Sequence, residues 1–244
     1  MNDTIIIIQA RMGSHRLPGK SLMPVWKDMS LLELVLNRIT QAKLPNKIIL
    51  ATSAKKKDDR LISIAEKYGV EIIRGSENDV LGRFVQAYKS YPANAIVRAA
   101  ADNPLLDPGI IDKLISFFWD NQPCDYASNL GPISGYPDGV GVEMVTAKTL
   151  LRLDSETKEM RHREHVVTYL HNNRNYKSRI LFAPPEYQRP HYRLDIDFFE
   201  DLFFIRELIK RLPQKRAPYW TTMDIIRTLD KDPDLLKLRR VRDG

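Results

Sequence analysis

Residues 5–21 read IIIIQARMGSHRLPGKS, four isoleucines running straight into a loop with two arginines, a lysine and two glycines. Four consecutive β-branched apolar residues leave no polar face, the pattern of a strand covered on both sides as in the parallel sheets of α/β proteins. Thr4 to Ala10 is therefore the expected first strand. Ligands of open α/β sheets bind beyond the carboxyl ends of the strands, which is where Gln9 to Lys20 must lie. Gly13 and Gly19 permit backbone in which successive amides point at one anion, and Arg11, Arg16 and Lys20 add cations. A polyphosphate is the natural occupant.

Outward from this stretch the same apolar run recurs at Lys47 to Thr52, Val70 to Ile73 and Ala95 to Ala99. Helical patterns separate the runs. Ser30 and Glu33 form a capping-box signature before Leu32, Val35, Leu36 and Ile39; Asp58 to Tyr68 follows, closed by Gly69; Asn78 to Tyr91 is third. Asp107-Pro108 supplies an N-cap and first-turn proline for a helix reaching Asn121. Strand alternating with helix predicts an α/β fold with a mostly parallel, Rossmann-like sheet flanked by helices. The alternation breaks at Cys124. NLGPISGYPDGVGVEM is rich in Gly and Pro, a loop and hairpin, and a charged helix is expected from about Lys158 to Asn172. Tyr192 to Asp197 reads as a returning strand, followed by a helix from Phe199 to Leu212 and a basic helical tail. Residues 1–123 and 182–244 are thus expected to form one α/β domain, and 124–181 an inserted subdomain.

At 244 residues, with 43% apolar and 28% charged side chains, the chain has the balance of a globular protein. Thirty-eight Lys and Arg against thirty-one Asp and Glu leave +7, which suits an anionic partner. A single cysteine, Cys124, forbids an intrachain disulfide, and Met1 to Ala10 lacks a secretory signal; a cytoplasmic protein is expected. No apolar run approaches the ~18 residues of a membrane span.

SHRLPGKS, Ser14 to Ser21, matches the phosphotransferase P-loop pattern except at its first position, where Ser14 replaces glycine. A P-loop must open a helix at once, whereas Pro18 lies inside this loop and Pro24 follows Lys20, postponing the helix to Ser30. A solvated basic connection is the plainer alternative. It accounts less well for Arg, Lys and Gly crowding one strand end.

Taken in order, IIQARMGSHRLPGKSL, ATS at 51–53, RGSENDVLGR at 74–83, RAAADNPLLDP at 98–108, YPDGVGVE at 136–143, REHV at 163–166 and RLDIDFFEDL at 193–202 resemble the cytidylyltransferases of the spore-coat polysaccharide type. These are relatives of 3-deoxy-manno-octulosonate and acylneuraminate cytidylyltransferases, and the likeness runs to about Leu208. It implies a nucleotide-diphospho-sugar transferase fold, Mg²⁺, and transfer of CMP from CTP to a sugar or sugar-acid hydroxyl with release of pyrophosphate.

What the resemblance implies can be placed residue by residue. Arg11, Lys20 and Asp102 become the catalytic set. Gln9, Ala10, Met12, Gly13, Ser14, Arg16, Ser53, Ser76, Asp79 and Arg83 join Arg11 and Lys20 around the nucleotide, although Ser76 and Asp79 also have the spacing of a helix N-terminus. Asp102 is one metal ligand, consistent with Mg²⁺ taking one or two carboxylates plus phosphate oxygens. Asp197 is the second, in a segment where Phe198-Phe199 replaces the family's Thr-Pro; Asp195 or Asp201 are the alternatives. Tyr136, Asp138, Gly139, Glu143, Arg163, Glu164 and His165 fall on the acceptor side, and the insertion implies a homodimer. The deprotonation of the acceptor is open between Asp102, Asp197 and the metal.

Two other classes are set against this. A glycosyltransferase of similar fold has its D-x-D motif formally present as Asp195-Ile196-Asp197, but not at the end of the nucleotide-binding half, where Asp102 stands. A nucleic-acid-binding module is prompted by the charge and the basic tail, yet acids punctuate that tail and no stacking platform is visible. Neither nucleic acid nor a membrane is an expected partner. His162 and His165 share a helix face without a third ligand, which makes a zinc site unexpected.

Overall fold

The fold is seen in a computed structural model that describes residues 3–171 and 173–239. Asn172, where the charged helix was expected to end, and residues 240–244 of the basic tail lie outside the described residues.

β1 (Thr4–Gln9) forms as the isoleucine run requires, paired in parallel with β4 (Lys47–Ser53) on one edge and β6 (Ala95–Ala100) on the other. β5 (Glu71–Gly75) extends the parallel half beyond β4. Past β6 the chain adds β8 (Glu143–Thr146), β7 (Tyr126–Ser128) and β9 (Ser178–Ile180), giving seven strands in the order β5-β4-β1-β6-β8-β7-β9. β8 runs antiparallel to both neighbours. A small hairpin of β2 (Pro24–Trp26) and β3 (Met29–Ser30) precedes the first helix.

Alternate side chains of β1 divide the interior. Ile6 and Ile8 point into a core shared with α1 (Leu31–Ile39), α4 (Pro108–Asp120), α7 (Phe199–Arg211) and α8 (Thr222–Lys231). Ile5 and Ile7 point into a second core with α3 (Val80–Ser90) and α5 (Ala147–Glu156). Burying both faces of one strand is what a continuous apolar run achieves, each isoleucine contributing about 1.5–3 kcal/mol. The capping box at Ser30 and Glu33 starts α1, and Gly69 at φ +66 follows α2 (Asp59–Lys67). Residues 124–181 supply β7, β8 and β9 to this same sheet and lay α5 and α6 (Met160–His165) against α3.

Two expected elements are corrected. Tyr192 to Asp197 is not a returning strand. It makes one isolated bridge, Arg193 with Asp138, and hydrogen bonds from Leu194 N to Asp138 O and from Ile196 N to Asp102 O. β6 already has β1 and β8 on its two edges, so no sheet edge is open there, and the segment crosses above the strand ends instead. The charged helix is also shorter than expected. α6 ends at His165 because Val166 turns to φ +61, burying Val166 and Val167 in the second core, and a 3-10 turn at Thr168–Leu170 follows. A β-branched residue in that region is strained by about 1–2 kcal/mol, which the burial offsets. Among the described residues no helix is long and apolar enough to cross a membrane.

Candidate active site

The loop after β1 is tied down from several sides. Asp58, fully buried, accepts from the hydroxyls of Thr52 and Ser53 at the end of β4 and from the Met12 amide at 2.8 Å. The Gly19 amide reaches back to Met12 O at 3.2 Å, with Gly19 itself at φ +75. Lys20 begins a single 3-10 turn, Lys20–Leu22, and the next helix opens only at Leu31. The loop therefore does not run directly into an α-helix, unlike a P-loop.

From this loop Lys20 reaches across the carboxyl ends of the strands. Its Nζ lies 3.0 Å from Asp102 Oδ2, just past β6, 3.1 Å from Asp197 Oδ1 and 2.7 Å from the Ile196 carbonyl. Asp197 Oδ1 also meets Arg16 at 2.7 Å, and the Arg16 guanidinium lies over the Phe198 ring. The three open choices for the second acid differ in their surroundings. Asp201 accepts from the amides of Asp197 and Phe198, both at 3.0 Å, and from Arg239, so it fixes the start of α7. Asp195 faces Arg193 and Arg239. Asp197 shares a cation with Asp102, which also separates the two acids of the D-x-D spacing into different ion pairs.

Below this cluster is a cleft of about 290 Å³ lined by Gln9, Ala10, Arg11, Ser14, Arg16, Lys20, Arg83, Arg98, Asp102, Glu164 and His165, among others. Cations outnumber acids on its walls, as an anionic occupant demands. Arg11 is held by Glu77 O and Glu164 Oε1, both at 2.9 Å. Arg83 is buried and donates to the carbonyls of Ala51, Ser76 and Glu77; burial first, and Arg11 second, hold it below the ordinary arginine range. The side-chain oxygen of Gln9 is buried with no partner among the described residues.

Five of the expected nucleotide residues do not line this cleft. Met12 and Ser53 act through Asp58, and a Cβ at Gly13 would collide with the Glu77 carboxylate. Ser76 lends its carbonyl to Arg83. Asp79 caps α3 through the Gly82 amide at 2.9 Å and binds Arg163. Burial works to raise Asp79, yet Arg163 and the Gly82 amide carry it below the usual carboxylate range.

The expected acceptor residues separate into two groups. Glu164 and His165 line the cleft, and Glu143 lines a second cavity of about 990 Å³ among β7, β8 and β9 that meets the first at Arg98 and His165. Glu143 is buried against Arg98 at 2.5 Å and Tyr126 at 2.7 Å, with His171 Nε2 at 3.4 Å. Burial pushes its pKa up, but the bond from His171, the Arg98 charge and the Tyr126 hydroxyl bring the net shift below the ordinary range. The other four, Tyr136, Asp138, Gly139 and Arg163, line neither cavity. Arg163 is taken up by Asp79 and Asp154, and Tyr136 packs edge-on against Tyr187. Asp138 and Gly139 hold the crossing segment: Gly139 sits at φ +94, and a Cβ there would lie 3.0 Å from the Leu194 carbonyl carbon. Asp138, raised first by burial and then by Asp195, flanks Arg193.

Sequence reasoning passed over Arg98 and Asp58. Arg98 had a signal, a lone charge inside the apolar strand Ala95–Ala100, and its Nε is buried with no partner among the described residues. Asp58 had none beyond its place at the start of α2.

Known proteins resemble this chain over most of its length. The family model described as Cytidylyltransferase matches residues 5–225. The spore coat polysaccharide biosynthesis protein SpsF of Bacillus subtilis (strain 168) is 36% identical over 240 residues, 96% of this chain and 97% of that one. The 3-deoxy-manno-octulosonate cytidylyltransferase of Chloroherpeton thalassium is 34% identical over 134 residues, 53% of this chain and 51% of that one. The solved structure of a cytidylyltransferase from Leptospira borgpetersenii serovar Hardjo-bovis superposes with a TM-score of 0.89 at 32% identity over the whole of both chains. With the match spanning the basic loop, Asp102, Asp197 and the parallel strands, the chain belongs to the cytidylyltransferase family.

Proposed function

We propose that the protein transfers CMP from CTP to the hydroxyl of a sugar or sugar acid, releasing pyrophosphate and making an activated sugar for surface polysaccharide or glycan synthesis. One observation carries this: Lys20 and Asp102, 82 residues apart in sequence, meet at 3.0 Å over one cationic cleft at the carboxyl ends of the parallel strands. Arg11, Arg16, Lys20 and the loop amides hold the triphosphate. The unpartnered Gln9 oxygen suits the amino group of cytosine, with Ala10 beside it.

The acceptor occupies the second cavity, entering past Arg98 and His165, so that its hydroxyl points at the α-phosphate. Alignment of that hydroxyl with the departing pyrophosphate, and charge neutralisation by Lys20 and the arginines, account for the acceleration without a protein nucleophile. Asp102 and Asp197 fit a divalent cation, Mg²⁺ in this scheme: they are hard oxygen donors already sharing one cation, with a cleft for phosphate oxygens beside them. Bound there, the ion would neutralise charge on the phosphate oxygens as the bond to pyrophosphate breaks. Ile133 and Phe182, exposed apolar side chains flanking the strands of residues 124–181, support a homodimer through this region, and the buried lone Cys124 is in keeping with a cytoplasmic enzyme.

Incubating the protein with CTP, Mg²⁺ and a panel of eight- and nine-carbon sugar acids and neutral sugars, with pyrophosphate measured, tests the activity. Release that depends on both CTP and one acceptor is expected. Cleavage of a nucleotide sugar in place of CTP would move the protein to the glycosyltransferases.

A further inference from the structure

The ammonium of Lys20 is fully committed. It has three N–H donors, and three acceptors lie within 3.1 Å: Asp102 Oδ2, Asp197 Oδ1 and the Ile196 carbonyl. None is left for a phosphate while this arrangement holds. The side chains of Lys20 and Asp197 are only 13% and 8% exposed, and Asp102, at 33%, is the open side of the cluster. A divalent cation approaching from that side meets a positive charge already seated between the two carboxylates that would bind it, and Arg16 on Asp197 Oδ1 adds a second. Like charges at such separations repel strongly where water is largely excluded.

We infer that Lys20 occupies the place of the metal in the ligand-free protein and surrenders it only when a nucleotide's phosphates offer its ammonium another anion. This rests on the proposed function for the identity of the nucleotide, and it gives Lys20 a second task besides binding phosphate. The triphosphate draws Lys20 and Arg16 off the acids, and the freed carboxylates accept the cation that travels with it. Free divalent metal is thereby kept out, and the metal site opens only when there is a substrate to act on. The ion pair also removes the repulsion between two neighbouring acids that would otherwise face each other unscreened.

The consequence runs against intuition for a residue of the active site: removing Lys20 should improve metal binding. Free Mn²⁺ is titrated into the full chain without nucleotide and followed by the electron paramagnetic resonance of unbound Mn²⁺. Lys20→Met and Lys20→Gln are expected to bind one Mn²⁺ roughly tenfold or more tighter than the unaltered protein, and Asp102→Asn placed on either background is expected to abolish the gain. Lys20→Gln keeps an uncharged hydrogen-bond donor at this position, so it serves if the methionine variant does not fold, as judged by circular dichroism. Mn²⁺ affinity in a folded variant equal to or weaker than that of the unaltered protein overturns the inference, as does a gain that survives Asp102→Asn. Because this comparison contains no nucleotide, it decides the role of Lys20 by itself; the separate measurement of acceptor-dependent pyrophosphate release judges the proposed activity.

Discussion

Arg163 grips Asp79 with two parallel hydrogen bonds, Nε to Oδ1 at 2.9 Å and Nη2 to Oδ2 at 2.8 Å, while the same Asp79 caps α3 through the Gly82 amide. Arg163 also holds Asp154 at 2.8 Å and the Thr157 carbonyl at 3.0 Å, so one side chain ties α6 to α3 and α5. Such charge-assisted, two-pronged bonds are worth about 1–3 kcal/mol. Arg163→Ala should lower the free energy of unfolding measured in urea by an amount of that order, and kcat/KM for the acceptor should fall no more than kcat/KM for CTP. A selective rise in acceptor KM with unchanged stability would show that Arg163 reads the acceptor directly.

Lys20 and Asp102 stand at the junction of the loop and the fourth parallel strand, and both carry charge toward the cleft. Under the proposed function, Lys20→Ala removes a phosphate contact, and Asp102→Asn removes a negative charge at the proposed metal position while keeping its shape. Each should cut kcat by about 10³-fold or more, with circular dichroism unchanged. Near-normal pyrophosphate release by both variants would sink the site assignment.

The parallel half of the sheet and its helices could be read from the sequence because each apolar run lacks a polar face and each helix is punctuated, Ser30 and Glu33 for α1, Asp107 and Pro108 for α4. Lys20 and Asp102 were legible for the same reason: each follows a strand whose end is marked. Other features depend on what the chain meets in three dimensions. Tyr192 to Asp197 has strand-like composition, but no sheet edge is open to it. Arg163 carries a charge suited to a substrate carboxylate, and only the fold reveals that Asp79 and Asp154 have claimed it. Helix termination at Val166 had no local signal, since a β-branched residue at positive φ is held there by tertiary burial.

Asp58 makes no contact with the cleft, yet it fixes the loop that does. Its carboxylate is held by Thr52 and Ser53 and accepts from the Met12 amide, setting the backbone between Arg11 and Gly13. Asp58→Ala leaves that amide and both hydroxyls without their buried acceptor, which costs about 1–3 kcal/mol. Stability should drop by this amount and KM for CTP should rise severalfold, while Ser53→Ala, which leaves the bond from Met12 to Asp58 in place, should show a smaller rise. Equal KM values for both variants and the unaltered enzyme would mean the loop is set by its own sequence.

Glu143 links acid stability to the wall of the second cavity. It is buried, and although burial alone raises its pKa, the bond from His171, the Arg98 charge and the Tyr126 hydroxyl hold it below the ordinary glutamate range. Its folded pKa is thus lower than its unfolded one. The unfolded chain binds more protons through that interval, so the stabilisation is complete above the ordinary glutamate range and is lost as pH falls through the folded pKa. Glu143→Gln leaves Arg98 without its charged partner at 2.5 Å. The melting temperature should fall at neutral pH by roughly 5–15 °C, and the gap to the unaltered protein should narrow as pH is lowered from about 7 to about 3. A gap of constant width across that range would mean that Glu143 is not the carboxylate whose ionisation supports this wall.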